Sequence, residues 1–336
     1  MRAWQTVKPG RPMDALYLNE DVEPPRPTPG TVHLEVIAAG IGLPDAFMCQ
    51  GSYALTPKTL PFTQGQEVVG RIIECGEDVH GRKAGDRVMA VTSFFTGHGS
   101  FAEQCLGLDG FCMPVPDEMS DAEGAGFLIP FHTAYIALVT RGKIEAGENV
   151  LVIGGAGGTG QAAMQIAKAL GARVIATAGG PEKAEFCRAL GADHVIDYRS
   201  EDIAESVKAA TDGRGADAIY DPVGGEAFAS ATRCIAHEGR ILAIGFASGS
   251  WGQTDTSHLV YHNYSVVGVI PSQYDRAFKE QTQERLLGWW REGKLRPQID
   301  DLVAFEALPE ALERLVAGGV KGKLTLAVDP SATPPA

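Results

Sequence analysis

The sequence predicts an α/β protein in two parts: a β-rich first part and a doubly wound parallel sheet in the second. Residues 1 to about 126 form short apolar runs broken by Gly and Pro, and residues 32–36 alternate apolar with polar side chains. From Asn149 the pattern becomes strand, glycine turn and helix, repeated several times, which is typical of parallel strands joined by helices. The 336 residues, 44% of them hydrophobic, are enough for two cores.

The second part begins with a strand predicted at residues 150–153, a continuous apolar run suited to burial on both faces. A helix follows, because Ala163, Ile166, Ala167 and Leu170 share one helical face. The same patterns predict further strands at 173–177, 194–198, 218–221, 240–245, 264–270 and 323–328, and helices at 181–190, 226–236 and 275–292. The Pro-rich residues 330–336 are predicted to be a frayed tail.

A glycine motif separates the first strand of this part from its helix. Gly155-Ala156-Gly157-Gly158-Thr159-Gly160 fits the pattern G-x-G-x-x-G. In that pattern the first glycine permits a tight turn, the second lets the backbone approach a pyrophosphate, and the third lets helix pack on strand. The amides of the helix N-terminus bind the phosphates. The motif therefore predicts dinucleotide binding, although in a chain with 41 glycines such a loop can also be a plain connection.

Charge and composition exclude several classes of partner. The formal net charge of −13, without any basic run, argues against binding to nucleic acid or to an anionic membrane and favours a small-molecule substrate. There is no signal-peptide pattern at the N-terminus and no apolar stretch long enough to span a bilayer. The six cysteines form no C-x-x-C pair. We therefore expect a cytoplasmic protein with free thiols.

Several phrases of the sequence resemble the medium-chain dehydrogenase/reductase superfamily, and the resemblance runs from Met1 to about Val328. They are Gly65-Gln66-Glu67-Val68-Val69-Gly70, Gly85-Asp86-Arg87-Val88, Thr133-Ala134-Tyr135 and Gly191-Ala192-Asp193-His194-Val195-Ile196-Asp197-Tyr198. The resemblance implies a GroES-like catalytic domain at 1–126, a Rossmann dinucleotide-binding domain at 127–270, and a return segment at 271–336 that completes the catalytic domain.

The places that bind catalytic zinc in metal-dependent members of that superfamily hold other residues here. They are Gly42, Gln66 and Ile129, and none of them has a thiolate, imidazole or carboxylate donor. The closely spaced cysteines of the structural zinc loop are also missing from the sequence. We therefore predict no metal, and a zinc-type alcohol dehydrogenase becomes the less favoured alternative.

Among zinc-free members the chain is most similar to quinone oxidoreductases. The segment Gly40-Ile41-Gly42-Leu43-Pro44-Asp45, followed by Gly51-Ser52-Tyr53, resembles their substrate site. The resemblance implies a reductase that transfers hydride from NADPH to a quinone or another α,β-unsaturated carbonyl compound. Gly42 replaces the family's usual asparagine, which removes an amide donor and acceptor. This departure leaves the natural substrate open and keeps a non-catalytic NADPH-binding protein as an alternative.

The resemblance also implies roles for single residues. Tyr53 is the candidate hydrogen-bond donor to the substrate oxygen, Thr133 lies beside the nicotinamide, and Gly245 and Phe246 form part of the nicotinamide-ribose wall. Plain structural roles remain open for each: Tyr53 packed at a loop edge, Thr133 starting a helix, and Phe246 in the core.

A preference for NADPH over NADH follows from the end of the second strand. NAD-binding domains usually have an acidic residue there to bind the ribose 2′-hydroxyl, but this chain has Ala178-Gly179-Gly180. Lys183 and Tyr198 resemble the Lys and Tyr that hold the 2′-phosphate in zinc-free relatives. Either residue alone fits a plain structural role as well, as a solvated helix residue or a strand-end aromatic.

A homodimer is the last expectation, and it too comes from the resemblance. If residues 264–270 form the edge strand of the sheet, their unpaired backbone groups can pair with a second copy. The alternative is an edge covered by a loop of the same chain.

Overall fold

The computed structural model describes residues 1–335. The secondary-structure elements of the first part are β1 (Ala3–Thr6), α1 (Pro12–Ala15), β2 (Leu16–Asn19), β3 (Thr31–Ile41), α2 (Leu43–Gln50), β4 (Glu67–Cys75), β5 (Arg87–Thr92), β6 (Gln104–Pro114) and α3 (Asp121–Ala125). Those of the middle part are α4 (Leu128–Tyr135), β7 (Asn149–Val152), α5 (Gly158–Ala169), β8 (Arg173–Ala178), α6 (Pro181–Ala189), β9 (His194–Asp197), α7 (Ile203–Ala210), β10 (Ala216–Asp221), α8 (Gly225–Thr232), β11 (Ile235–Ala243), α9 (Thr256–His262) and β12 (Ser265–Gly268). The chain ends with α10 (Arg276–Arg291), β13 (Ile299–Ala304), α11 (Leu308–Val316) and β14 (Lys323–Ala327).

The contacts divide the chain into two units. The first unit contains Met1–Ile129, Asp275–Glu280 and Pro297–Ala336, and the second contains Pro130–Tyr274 and Gln281–Arg296. The predicted return segment is therefore shared between the units. Residues 281–296 belong to the second unit because Gln283 Oε1 lies 2.8 Å from His132 Nε2, and the Trp289 ring lies 6.0 Å from the Tyr135 ring.

The first unit is built around a six-stranded sheet in the order β13-β14-β3-β4-β5-β6, and an additional β3–β6 pairing closes four of these strands into a ring. β14 pairs with β3 in antiparallel register, so the end of the chain completes this sheet. The core inside it includes Leu34, Ile41, Phe101 and Leu324. This is the predicted GroES-like architecture.

The second unit has a six-stranded parallel sheet in the order β12-β11-β10-β7-β8-β9. The first strand of this sheet, β7, lies near its centre, and β8 and β9 follow on one side of it. The chain then returns to the other side of β7, where β10, β11 and β12 follow in order. Crossovers between parallel strands are right-handed as a rule, so this reversal of strand order puts the helices of the two halves on opposite faces, and the sheet is doubly wound as predicted. The point between β7 and β10, where the strand order reverses, is where such sheets bind ligands.

Two local predictions were wrong. The predicted helix at 226–236 ends at Thr232, because β11 already begins at Ile235. The tail has no regular structure, yet it is not frayed at Thr333. The Thr333 hydroxyl donates to Asp121 Oδ2 at 2.8 Å, and the Asp121 amide donates to Thr333 Oγ1 at 2.7 Å.

No helix within residues 1–335 is long and apolar enough to cross a membrane.

Candidate functional site

The predicted glycine motif forms the turn between β7 and α5. The Gly154 amide donates to Thr177 Oγ1 at 3.0 Å, and the Gly155 amide donates to the Thr177 carbonyl at 2.9 Å. Thr177 lies near the end of β8, so these bonds attach the start of the turn to the neighbouring strand. The Gly157 amide then donates to the Gly154 carbonyl at 2.9 Å and closes the turn.

The three glycines of the motif differ in their surroundings. A methyl group at Gly155 would lie 2.9 Å from Ala176 Cβ, and one at Gly160 would overlap the Gly154 carbonyl oxygen. A methyl group at Gly157 would approach only the Gly154 carbonyl oxygen, at 3.3 Å. Gly155 and Gly160 therefore serve the packing of strand, turn and helix, whereas Gly157 leaves the backbone open to a ligand.

The turn leads directly into the N-terminus of α5. Gly157 is the N-cap residue and has no side chain to bond the first amides of the helix. The amides of Gly158, Thr159 and Gly160 have no acceptor inside the helix. Together with the helix dipole, they form a site of positive potential suited to a phosphate group.

The end of β8 is where a dinucleotide domain recognises the adenosine ribose. A methyl group at Gly179 would lie 2.7 Å from Tyr198 Cζ and 3.2 Å from Arg199 Nε, and one at Gly180 would lie 3.2 Å from Arg199 Nη1. The structure thus brings the predicted Gly179 and Tyr198 together. It adds the guanidinium of Arg199, which the sequence interpretation missed.

Asp197 holds this arrangement in place. Its Oδ1 accepts hydrogen bonds from the Gly180 amide at 2.9 Å and the Arg199 amide at 3.1 Å, which connects the ends of β8 and β9. These backbone bonds lower the pKa of the Asp197 carboxyl below its ordinary value. Lys183, the third residue of α6, is half-buried. The signal for Arg199 was its position just after a parallel strand, at the carboxyl edge where ligands bind.

The remaining predicted cofactor residues lie in the second unit. Gly245 and Phe246 follow β11, so they share the carboxyl edge of the sheet with the glycine turn. The half-buried Phe246 ring packs against the Trp251 ring, with 4.7 Å between centroids and 34° between the ring planes, so it is not a core residue. Thr133 is buried and is the sixth residue of α4, so it does not start a helix.

Tyr53 lies in the first unit, next to a small apolar cluster. Its ring centroid is 6.5 Å from that of Phe94. Burial raises the pKa of the Tyr53 hydroxyl, and the nearby Asp45 carboxyl adds to the effect, whereas a hydrogen bond with Gln66 opposes it. The hydroxyl therefore stays protonated and can donate a hydrogen bond at neutral pH.

The positions that bind zinc in metal-dependent relatives carry backbone bonds instead of metal donors. The Gly42 amide donates to Asp45 Oδ2 at 2.8 Å, and the Ile129 amide donates to Glu67 Oε1 at 2.9 Å. Glu67 also forms a buried ion pair with Lys323. The described residues contain no group of three or more His, Cys, Asp or Glu that could hold a metal. The donor set at Gly42, Gln66 and Ile129 does not fit zinc.

Burial raises the pKa of Asp45 to about 7, although the Gly42 amide and the Lys323 charge pull it down. Asp45 Oδ1 is buried and has no hydrogen-bond partner among residues 1–335.

Comparisons with known proteins agree with this architecture. Residues 28–117 match the family of the alcohol dehydrogenase GroES-like domain, and residues 158–287 match the family of zinc-binding dehydrogenases. A quinone oxidoreductase-like protein 2 homolog of Nematostella vectensis is 33% identical over 300 residues, 88% of this chain and 81% of that protein. The human quinone oxidoreductase is 30% identical, with 97% of each chain covered.

A solved structure of Escherichia coli quinone oxidoreductase complexed with NADPH superposes with a TM-score of 0.90 at 26% identity. The superposition covers 97% of this chain and 100% of that one.

Proposed function

We propose a function for this chain from one premise: it belongs to the quinone oxidoreductase-like branch of the medium-chain dehydrogenase/reductase superfamily. We propose that it is a metal-independent reductase that transfers hydride from NADPH to a quinone or another α,β-unsaturated carbonyl compound. NADPH is proposed over NADH because Tyr198 and Arg199 lie against the two glycines that follow β8.

Charge at the end of β8 favours a 2′-phosphate over a 2′-hydroxyl. The two residues directly after β8 are glycines and not acidic, and the nearby Asp197 carboxylate already accepts bonds from two backbone amides. The Arg199 guanidinium supplies several donors and a permanent positive charge, which match the geometry of a phosphate. Glycines at 179 and 180 let the Tyr198 ring and the Arg199 guanidinium lie close to the backbone, and Lys183 in the first turn of α6 can add a second cation.

Cofactor binding tests this choice. We expect the wild type to bind NADPH at least about tenfold more tightly than NADH. Lys183→Ala should weaken NADPH binding and leave NADH binding nearly unchanged, and Arg199→Gln should do the same. Arg188→Gln is the control, because Arg188 is an exposed residue of α6 that pairs with Glu185 at 3.1 Å. A wild-type preference for NADH, or variants that weaken both cofactors equally, would contradict the proposal.

The protein's own task is to hold the reactants and stabilise the developing charge. When bound, NADPH supplies the hydride. The amides of Gly158, Thr159 and Gly160 hold its pyrophosphate, and we assign Thr133, Gly245 and Phe246 to the nicotinamide end. Tyr53 is the proposed donor to the substrate oxygen. We expect Tyr53→Phe to lower kcat by about tenfold or more, with the dissociation constant of NADPH unchanged.

The reaction is proposed to need no metal, because Gly42, Gln66 and Ile129 offer no zinc ligand. Activity should survive exhaustive treatment with chelators. Activity that is lost with chelator and restored by added zinc would instead support a zinc-type alcohol dehydrogenase.

A second candidate function is a non-catalytic NADPH-binding protein. The observation that favours it is Gly42, which has no side chain where the relatives usually carry an asparagine. A screen for NADPH consumption across quinones, enones and enoyl thioesters separates the two. Turnover of any of them supports the reductase, whereas NADPH binding without turnover of any supports the second candidate. In either case we propose a cytoplasmic homodimer that binds a small molecule.

A further inference from the structure

We propose that the Lys323 ammonium group and the space beside Gly42 form a subsite for the carbonyl oxygen of the substrate. The inference rests on the proposed reductase function and concerns only residues of the first unit. Lys323 would then supply the hydrogen-bond donor that Gly42, which has no side chain, cannot supply.

Lys323 is a buried cation that still has donors to offer. Its side chain is 10% exposed and that of its ion-pair partner Glu67 is 3% exposed. An ammonium group carries three N–H donors. Glu67 is the one hydrogen-bond partner that the structure gives to Lys323 Nζ within residues 1–335. Each oxygen of Glu67 has a partner, because the second oxygen accepts from the Ile129 amide.

The space beside Gly42 is large enough for a ligand atom and borders that ammonium. A methyl group at Gly42 would lie 3.4 Å from Pro44 Cδ, 3.6 Å from Asp45 Oδ2 and 3.7 Å from Lys323 Nζ, all ordinary van der Waals separations. The φ angle of Gly42 is −133°, which any residue can adopt. The backbone therefore does not require glycine, and the absent side chain leaves a half-buried gap with a cation at its wall.

The carboxyl group of Asp45 forms another wall of this gap. Its Oδ2 borders the gap and accepts from the Gly42 amide. A carbonyl oxygen has no hydrogen to give to a carboxylate, so Asp45 suits such a ligand in its protonated form, which burial favours by raising its pKa to about 7.

The charges select the class of ligand. An ammonium group in a site of low dielectric stabilises an oxygen that gains negative charge during the reaction, as the oxygen of a quinone or enone does. When hydride adds to the electron-poor carbon, the electron pair of the C=C bond moves toward the carbonyl carbon and leaves the charge on oxygen. The Lys323 ammonium group donates a hydrogen bond to that oxygen. A proton from water then completes the reduced product.

Binding of p-nitrophenol tests the subsite without any turnover, since its phenolate mimics the charged oxygen. We expect the wild type to bind it saturably and to lower its pKa, measured from the phenolate absorbance. Lys323→Met should abolish this effect. Because that substitution leaves Glu67 unpaired and can prevent folding, Gly42→Leu is the second variant. It fills the gap while the ion pair stays, and it should weaken phenolate binding by about tenfold or more with the thermal midpoint retained.

Glu67→Gln separates this role from a merely structural ion pair. It removes the competing carboxylate and keeps the ammonium, so p-nitrophenol should bind more tightly than to the wild type. The proposal is overturned if the wild type leaves the pKa of p-nitrophenol unshifted, if Gly42→Leu binds as the wild type does, or if Glu67→Gln loses binding. A wrong reductase assignment gives a different result: the protein does not bind NADPH or turns over no substrate, while it still binds the phenolate.

Discussion

Two buried carboxyl groups in the first unit have very different surroundings. Glu67 is satisfied by Lys323 on one oxygen and by the Ile129 amide on the other. The Gly42 amide donates to Asp45 Oδ2, and Asp45 Oδ1 lacks a hydrogen-bond partner among the described residues. Burial therefore dominates at Asp45 and raises its pKa to about 7. A charge at this position is costly, and the protein tolerates it beside the positive charge of Lys323.

Stability should therefore depend on pH through Asp45. A carboxyl whose pKa is higher in the folded state binds its proton more tightly there, so its ionisation destabilises the fold. The cost begins near the ordinary pKa of 3.8, grows as pH rises, and is complete above about 7. Asp45→Asn escapes this cost, so its thermal midpoint relative to the wild type should rise over that window by about a few degrees. A difference between the two midpoints that stays constant with pH would contradict the assignment.

Local spacing explains which parts of the site could be predicted from the sequence. The glycine motif and Tyr198 lie within or just after single elements, so their patterns are visible along the chain. Arg199 lies against Gly179 and Gly180 because β9 pairs with β8, a contact that its sequence position alone does not reveal. The ion pair between Lys323 and Glu67 joins residues 256 positions apart, and no periodicity encodes such a contact.

At the scale of elements, the order of strands and helices was predictable because each βα unit carries its own apolar pattern. The boundary between α8 and β11 could not be predicted from the sequence. Ala216 pairs with Ile235 and Ala218 with Arg240, so β11 advances five residues while β10 advances two. The extra residues belong to a bulge that pairs irregularly with its neighbour. Apolar and polar residues do not alternate there as they do in a regular strand, and the apolar spacing of the preceding helix continues into these residues.

The glycine turn between β7 and α5 offers a prediction with a built-in control. Gly160→Ala would press a methyl group into the Gly154 carbonyl oxygen and force α5 away from the turn. We expect it to lower the free energy of unfolding by about 1–3 kcal/mol, measured by urea denaturation. Gly157→Ala meets only the Gly154 carbonyl oxygen, at 3.3 Å, so it should cost less, about 1 kcal/mol or below.

The Gly157 variant should nevertheless weaken NADPH binding by about tenfold or more, because its methyl group occupies the approach of the pyrophosphate. If Gly157→Ala binds NADPH as the wild type does, the turn does not hold a pyrophosphate in the way we propose.

At the scale of the whole molecule, the open edge of the second unit's sheet is the feature that points to a second copy of the chain. β12 is the edge strand and pairs only with β11 among the described strands. The neighbouring helix α9 has no buried residue, and it exposes Val260 by 75% and Tyr261 by 84%. Ile270, just beyond β12, is 55% exposed. Unpaired strand groups next to exposed apolar side chains are typical of an interface between subunits.

The homodimer prediction follows from that edge. In a two-fold arrangement the same surface meets its own copy, so β12 of one chain can pair with β12 of the other while Val260 and Tyr261 become buried. Light scattering should give about twice the chain mass of 35.6 kDa. The double variant Val260→Asp with Tyr261→Asp should shift the mass toward the monomer, because burying carboxylates at the interface is unfavourable. Tyr17→Asp is the control, since Tyr17 is 61% exposed on β2 of the first unit. A monomeric wild type would refute the dimer, and a dimer that survives the double variant would place the interface on another surface.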